Sequence, residues 1–463
     1  MANDPANLRA RREQIAKRWD MERGAVVVAS GLPIPIAGTD QYHPFYAHNE
    51  YAYLAGAAKP GSVLVFDPDE GWTLFAHVAG REERVWEGET DDLEEVADVT
   101  GVERVRPVER LGEWLEKRRG EGLAILGNRD ILERSDVYGL EVWSRLEAVV
   151  DEEASVRLSE VISEARRAKD AGELDLMRRA AAASVRGHLA GFRLARAGMS
   201  ERDLQVEIEV EFFRGGAART AYGTIVGTGK HGATLHFMPT ARRMADGDIV
   251  LVDAGAEIGG YASDVTRTFP VSGRFSAEQR ALYEVVLGVQ REAIAGVGPG
   301  VEYKDLHLRA ARGIAAGLAD FGLLKGAPDD LVEMDAHALF FPHGLGHMLG
   351  LATHDAGGCL AGRERSERPG LRYLRADLPL LPGYVVTIEP GIYFIDALLD
   401  DPGSREKYRE VVDWERVDRM REFGGIRIED DVLVTEAGAE VLSGALPKSV
   451  EEIEALRMEG LAG

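Results

Sequence analysis

One cysteine, Cys359, occurs in 463 residues, which excludes an internal disulfide and any zinc cage built on thiolates. Such usage fits a reducing compartment, and cytoplasmic residence is the expectation. No run of 18 or more apolar residues exists, and the basic start at Arg9, Arg11 and Arg12 has no apolar signal region behind it. Positive charge is scarce: 55 Lys and Arg stand against 79 Asp and Glu, a formal net charge of −24. That balance repels nucleic acid and anionic membranes, so neither is expected as a partner. Low-complexity tracts and short-period repeats are missing too. What is left is ordinary globular composition, 45% hydrophobic and 29% charged, which excludes a disordered or fibrous chain. The length calls for two or three domains and buries enough surface to need no staples.

Two textures divide the chain. Short β-rich runs at 25–30, 62–67, 72–77 and 123–127 are separated by Gly, Pro and Asp turns and by charged stretches, the pattern of an α/β domain. From about Val156 the period becomes helical, with apolar residues at 174, 176/177, 180/181 and 184/185. Ser200 before Glu201 and Asp203 reads as the N-cap of a further helix. The boundary is placed near residue 158, giving an N-terminal α/β domain over 1–158 and a second domain over 159–463. Strands and helices alternate in the latter, and His236, His343, His347 and His354 cluster there in Gly-rich segments.

Four segments of the second domain carry unusual chemistry. In 249–269 two β-rich runs flank Glu257-Ile-Gly-Gly260, a hairpin turn. With Ile258-Gly259 as the loop, Asp253 and Asp264 lie directly opposite each other. Like charges so opposed are unfavourable, and a pair of divalent cations is the obvious compensation. In 341–354 the spacing of His343 and His347 superficially suggests a helical zinc site, but two intervening glycines argue against helix and for a loop or strand. One of these histidines is expected to ligate while its neighbours line a cavity. Finally, Glu389 and Glu429 each fall inside an apolar β-rich run, where an unpaired carboxylate costs several kcal/mol or is held neutral. Arg427, two residues from Glu429, offers a salt bridge as the alternative. Oxygen ligands with one imidazole suit Mn²⁺, Co²⁺ or Zn²⁺.

The strings Asp253-Ala-Gly, Ser263-Asp-Val-Thr-Arg-Thr-Phe-Pro270, His343-Gly-Leu-Gly-His347, Thr387-Ile-Glu-Pro-Gly391 and Gly425-Ile-Arg-Ile-Glu-Asp430 together resemble the proline-specific pita-bread metallopeptidases. That family includes prolidase, which cleaves Xaa-Pro dipeptides, and aminopeptidase P. The resemblance covers roughly 170–440, with a looser likeness at 45–56. It implies a creatinase-like N-terminal α/β domain followed by a pita-bread catalytic domain, and an enzyme hydrolysing the Xaa-Pro bond. Two divalent ions per subunit are implied, Mn²⁺ first and Co²⁺ or Zn²⁺ as alternatives, on Asp253, Asp264, His347, Glu389 and Glu429. Asp264 and Glu429 would bridge, and Glu389 would also shuttle a proton. His236 and His354 would assist the reacting carbonyl, with Tyr222, His343, Arg375 and Arg427 completing the substrate site. Arg375 in 369–375 and the insertion 394–423 look more like prolidase than aminopeptidase P, so dipeptides are the expected substrate and longer peptides with proline second the alternative. Arg427 is left open between binding the substrate carboxylate and orienting Glu429. A homodimer is expected, with His48 as a candidate contact.

Overall fold

Near-continuous apolar runs let the first strands bury both faces. In the computed structural model, which describes residues 4–56, 60–88, 92–118, 120, 122–127 and 150–462, these strands form one five-stranded mixed sheet. They are β1 (Ala25–Ala29), β2 (Val63–Asp67), β3 (Gly71–Ala76), β4 (Val105–Pro107) and β5 (Leu123–Gly127), in the order β4-β3-β2-β1-β5. Every residue of β1 and β2 is buried, as in a sheet covered on both sides. Val27, Val65, Phe75, Leu111, Trp114 and Ile125 fill one core cluster. His48 caps the short helix Asn49–Ala55, its Nδ1 accepting the Glu50 N–H at 3.4 Å.

The chain divides into two compact units, Met1–Arg166 with Asp170–Glu173, and Arg167–Lys169 with Leu174–Gly463. In the second unit the helix expected from the 174–185 pattern spans Ala171–Leu194. Ser200 caps Glu201–Arg214 through the Asp203 N–H, as its sequence position predicts. Among the described residues the unit's strands are β6 (Arg219–Thr220), β7 (Ile225–Thr228), β8 (Ile249–Asp253), β9 (Ala256–Ile258), β10 (Tyr261–Ala262), β11 (Thr266–Pro270), β12 (Val385–Ile388), β13 (Gly391–Tyr393), β14 (Gly425–Arg427), β15 (Asp430–Thr435) and β16 (Gly438–Val441). They make small antiparallel sheets, β11-β8-β7, β12-β15-β16, β13-β14 and β10-β9-β6. The long helices Ala277–Ala295 and Tyr303–Asp320 pack against each other. No described helix is long and apolar enough to cross a membrane.

The hairpin register differs from the sequence expectation. The turn is Gly259-Gly260, both at positive φ (59° and 86°), the two positions a type I′ turn reserves for such residues. Tyr261 therefore pairs with Ile258, and Asp253 faces Thr266 rather than Asp264. Two adjacent glycines offered two loop placements, and the one that puts both at the turn's left-handed positions prevails.

The expected continuous runs around the glutamates are also interrupted. Glu389 sits with Pro390 between β12 and β13, and Glu429 with Ile428 between β14 and β15. Asp264 lies between β10 and β11, and Asp253 ends β8. Each carboxylate thus occupies a point where a strand stops or changes partner. There the side chain is freed from the alternation of a regular ladder.

Candidate active site

The hairpin and the two interrupted strand pairs bring their polar residues to one buried place. Asp264, His347 and Glu429 each present a ligand atom within 4.8 Å of the others, and all three are buried. His347 Nε2 lies 3.3 Å from Asp264 Oδ2 and 3.7 Å from Glu389 Oε1. Its Nδ1–H is directed to the Met348 carbonyl at 3.0 Å, which leaves Nε2 facing the carboxylates. The segment carrying it is not helical, and Gly346 is needed there: a Cβ would overlap the Thr387 carbonyl and the Tyr303 hydroxyl. The His347 N–H in turn donates to Thr387 Oγ1 at 3.1 Å.

Asp253 stands beside this group with both oxygens engaged. Tyr222 donates to Oδ1 at 2.6 Å, and Arg427 Nη2 pairs with Oδ2 at 2.5 Å. Arg427 is 4% exposed and also donates to Tyr393 Oη at 2.8 Å and Thr266 Oγ1 at 3.1 Å. Its ionic partner is therefore Asp253, not Glu429, and its guanidinium is spent on protein groups. Glu429 instead accepts from Thr266 Oγ1 at 2.6 Å. His343 accepts the Tyr393 hydroxyl at 2.8 Å through Nε2 and donates from Nδ1 to the Gly344 carbonyl. Burial and the Arg427 charge push its pKa down to about 3, so the ring is neutral.

Behind the site a layer of buried groups fixes the backbone. Asp431 accepts the Asp264 N–H at 3.0 Å and the Ser263 hydroxyl at 2.7 Å. Arg267, fully buried, donates to the Glu429 carbonyl at 2.6 Å and to Asp430 Oδ1 at 2.7 Å. Neither Tyr393 nor this layer stands out in the sequence. The available signal is that Tyr393 closely follows Glu389 in a β-rich run, and that Arg267 and Asp430 are charges within β-rich segments.

Electrostatics sets the character of the site. Four carboxylates converge, and Arg427 is the one guanidinium among them within the described residues. Burial, with the charges of Asp264 and Glu389, drives the Glu429 carboxyl well above its usual range. Burial lifts Glu389 to about 7, further helped by Asp264 and Asp253. For His347 burial opposes protonation, but the bond to Asp264 and the charges of Asp264 and Glu389 outweigh it and raise the pKa to about 8. Buried negative charge in this excess, on oxygen donors with one imidazole, is the chemistry of a divalent-cation site.

The cluster opens on a cavity of about 1110 Å³. His236 and His354 line it from exposed loops, as does Arg375, which is exposed rather than buried. The far wall comes from the insertion, including Ile395, Leu398, Ser404 and Lys407. All the candidate metal, catalytic and substrate residues of the second domain line this cavity except Tyr222, which reaches the site through Asp253.

Comparison with known proteins finds two family models. The description metallopeptidase family M24 matches residues 175–436, and aminopeptidase P, N-terminal domain, matches 8–123. The Xaa-Pro dipeptidase of Homo sapiens is 34% identical over 455 residues, 96% of this chain and 90% of its own. A probable Xaa-Pro aminopeptidase of Aspergillus fumigatus is 33% identical, covering 98% of this chain and 97% of its own. Among solved structures, an aminopeptidase of Pseudomonas aeruginosa superposes with a TM-score of 0.83 at 31% identity, covering 99% of both chains.

Proposed function

Since the chain belongs to metallopeptidase family M24, we propose that it hydrolyses the bond between a first residue and a following proline, with dipeptides as the preferred substrates. The observation that carries this reading is the convergence of Asp253, Asp264, His347, Glu389 and Glu429 beside a cavity walled by His236, His354 and Arg375. The five side chains would hold two divalent ions, with Asp264 and Glu429 shared between them and Mn²⁺ as the first choice. Such ions acidify water and polarise a carbonyl, the chemistry that peptide hydrolysis needs.

The chain's own groups supply the rest. Glu389, beside His347 in the cluster, would take a proton from the attacking water and give it to the prolyl nitrogen, which carries no hydrogen of its own. His236 and His354 donate to the carbonyl oxygen as negative charge grows on it. Arg427 and Tyr222 hold Asp253 from opposite sides, and Tyr393 joins Arg427 to His343. That arrangement favours the positioning role left open for Arg427 and leaves the substrate carboxylate to Arg375.

Metal binding should then compete with protons. His347 and Glu389 hold protons below about pH 8 and about pH 7 respectively, and a cation must displace them. Affinity is expected to fall by at least about tenfold per pH unit below pH 8 and more steeply below pH 7, with the raised Glu429 carboxyl adding to the competition. Calorimetric titration of chelator-stripped protein at pH 6, 7 and 8 measures this; an affinity independent of pH would count against these ligands.

Preference for dipeptides rests on Arg375. A dipeptide's carboxylate lies just beyond the scissile bond, where a guanidinium can pair with it. Because Arg375 is exposed, a longer peptide leaves it hydrated rather than buried and unpaired, so discrimination is milder than for a buried cation. Arg375→Ala is expected to lose about tenfold in kcat/KM on Ala-Pro and to leave a Pro-containing tripeptide nearly unchanged. A cavity of about 1110 Å³ whose lining also takes in Ile395, Leu398, Ser404 and Lys407 supports the second reading, an aminopeptidase acting on longer chains. Wild-type preference for the tripeptide would decide for it.

A further inference from the structure

His236 lines the cavity from an exposed position, and no hydrogen bond holds its ring among the described residues. Its placement depends on the backbone between β7 and β8. That segment is gripped at two points by one side chain, Glu201, the first residue of the helix Glu201–Arg214 and 0% exposed. Glu201 Oε1 accepts the Thr228 N–H at 3.0 Å, the Thr228 hydroxyl at 2.8 Å and His231 Nδ1–H at 2.8 Å. Oε2 accepts the Thr240 N–H at 3.2 Å and the Thr240 hydroxyl at 2.6 Å. The His231 ring packs on Phe237, next to His236, with centroids 4.3 Å apart. Hence one carboxylate ties together the side chains at both feet of the segment 228–240 and a ring stacked beside its functional histidine, in addition to the β7–β8 ladder at Thr228 and the Arg202 N–H at the Thr240 carbonyl.

We infer that Glu201 is the positioning residue for His236, fixing the loop so that the imidazole meets the scissile carbonyl without binding substrate itself. This rests on the assignment of His236 given above. A carboxylate suits the task because all five partners are donors, and two charged oxygens accept them together. Burial opposes ionisation, yet these bonds keep the group below the ordinary range of a glutamate. Glutamine would keep one accepting oxygen and turn an N–H₂ toward a donor at the other foot, breaking the side-chain tie there. Backbone bonds from Glu201 N–H to the Arg242 carbonyl and from Arg202 N–H to the Thr240 carbonyl would persist, so the helix stays docked.

The test is a double-mutant cycle on the metal-loaded enzyme with an Xaa-Pro dipeptide. Glu201→Gln is expected to lower kcat/KM about tenfold in the wild-type background and less than about twofold in His236→Ala. Metal content should stay at the wild-type level. Thr240→Val, which removes the hydroxyl's bonds to Glu201 and from the Arg242 N–H but keeps the carboxylate, should show the same vanishing effect on a smaller scale and serves if Glu201→Gln melts too low. Equal losses in both backgrounds would make Glu201 a general structural residue and overturn the inference while sparing the role of His236. Full activity in His236→Ala would instead remove that role and the inference with it.

Discussion

Asp264→Asn is expected to lower turnover of an Xaa-Pro dipeptide by about 1000-fold or more, with the chain still folded. Asp264 is the meeting point of the cluster: its carboxylate faces His347 Nε2 at 3.3 Å and lies within ligand reach of Glu429. An amide keeps the shape but loses the charge, and it offers one oxygen where a shared ligand needs two. The backbone should stay in place, because Asp431 holds the Asp264 N–H and the Ser263 hydroxyl independently of the side chain. Because His347 holds the Asp264 carboxyl ionised against burial and is itself raised by it, breaking this buried pair should leave the metal-free variant somewhat less stable than the wild type near neutral pH. Elemental analysis and thermal melting on chelated samples measure the two halves. A variant that binds two ions and turns over normally would show that Asp264 is not a ligand.

Arg427→Met carries the second large effect, a loss of about 100-fold in kcat with impaired folding stability. Its guanidinium joins Asp253, Tyr393 and Thr266 inside the protein. Removing it leaves Asp253 a buried charge whose remaining partner is a tyrosine, and breaking a buried pair in this way costs about 3–5 kcal/mol. Tyr393 loses the group that fixes it and with it the orientation of His343. Arg427→Lys should recover little, since an ammonium cannot span three partners as a planar fork does. Denaturant unfolding of the metal-free protein should show the destabilisation, and KM for a dipeptide should change far less than kcat. A change confined to KM would return Arg427 to the substrate carboxylate.

Sequence alone reaches the metal cluster because its residues break local rules: carboxylates amid apolar β-rich runs, and glycines around histidines. Each violation is visible one residue at a time. What joins the segments is less legible. Arg427 reads equally well as a partner of Glu429, two positions away in sequence, yet folding places it against Asp253 at the end of a strand in another sheet. Pairing of that kind depends on which strands become neighbours. The hairpin shows the same limit, for a shift of the turn by one residue moves Asp264 from opposite Asp253 to a place beyond the ladder. Exposure is equally illegible at Arg375, which lies between the buried Leu374 and Ala376 while its own side chain lines the open cavity. Glu201 sits at an ordinary helix start, where an acidic residue needs no further explanation, and only the folded loop shows its five donors.

Metal dependence of proline-directed hydrolysis is the centre of this account, and stepwise reconstitution measures it. Chelator-stripped protein receives Mn²⁺ in increments while Ala-Pro hydrolysis is followed. The expected result is no hydrolysis without metal and a rate that rises to a plateau at about two ions per chain. Hydrolysis at the full rate by protein shown to hold no metal would contradict it.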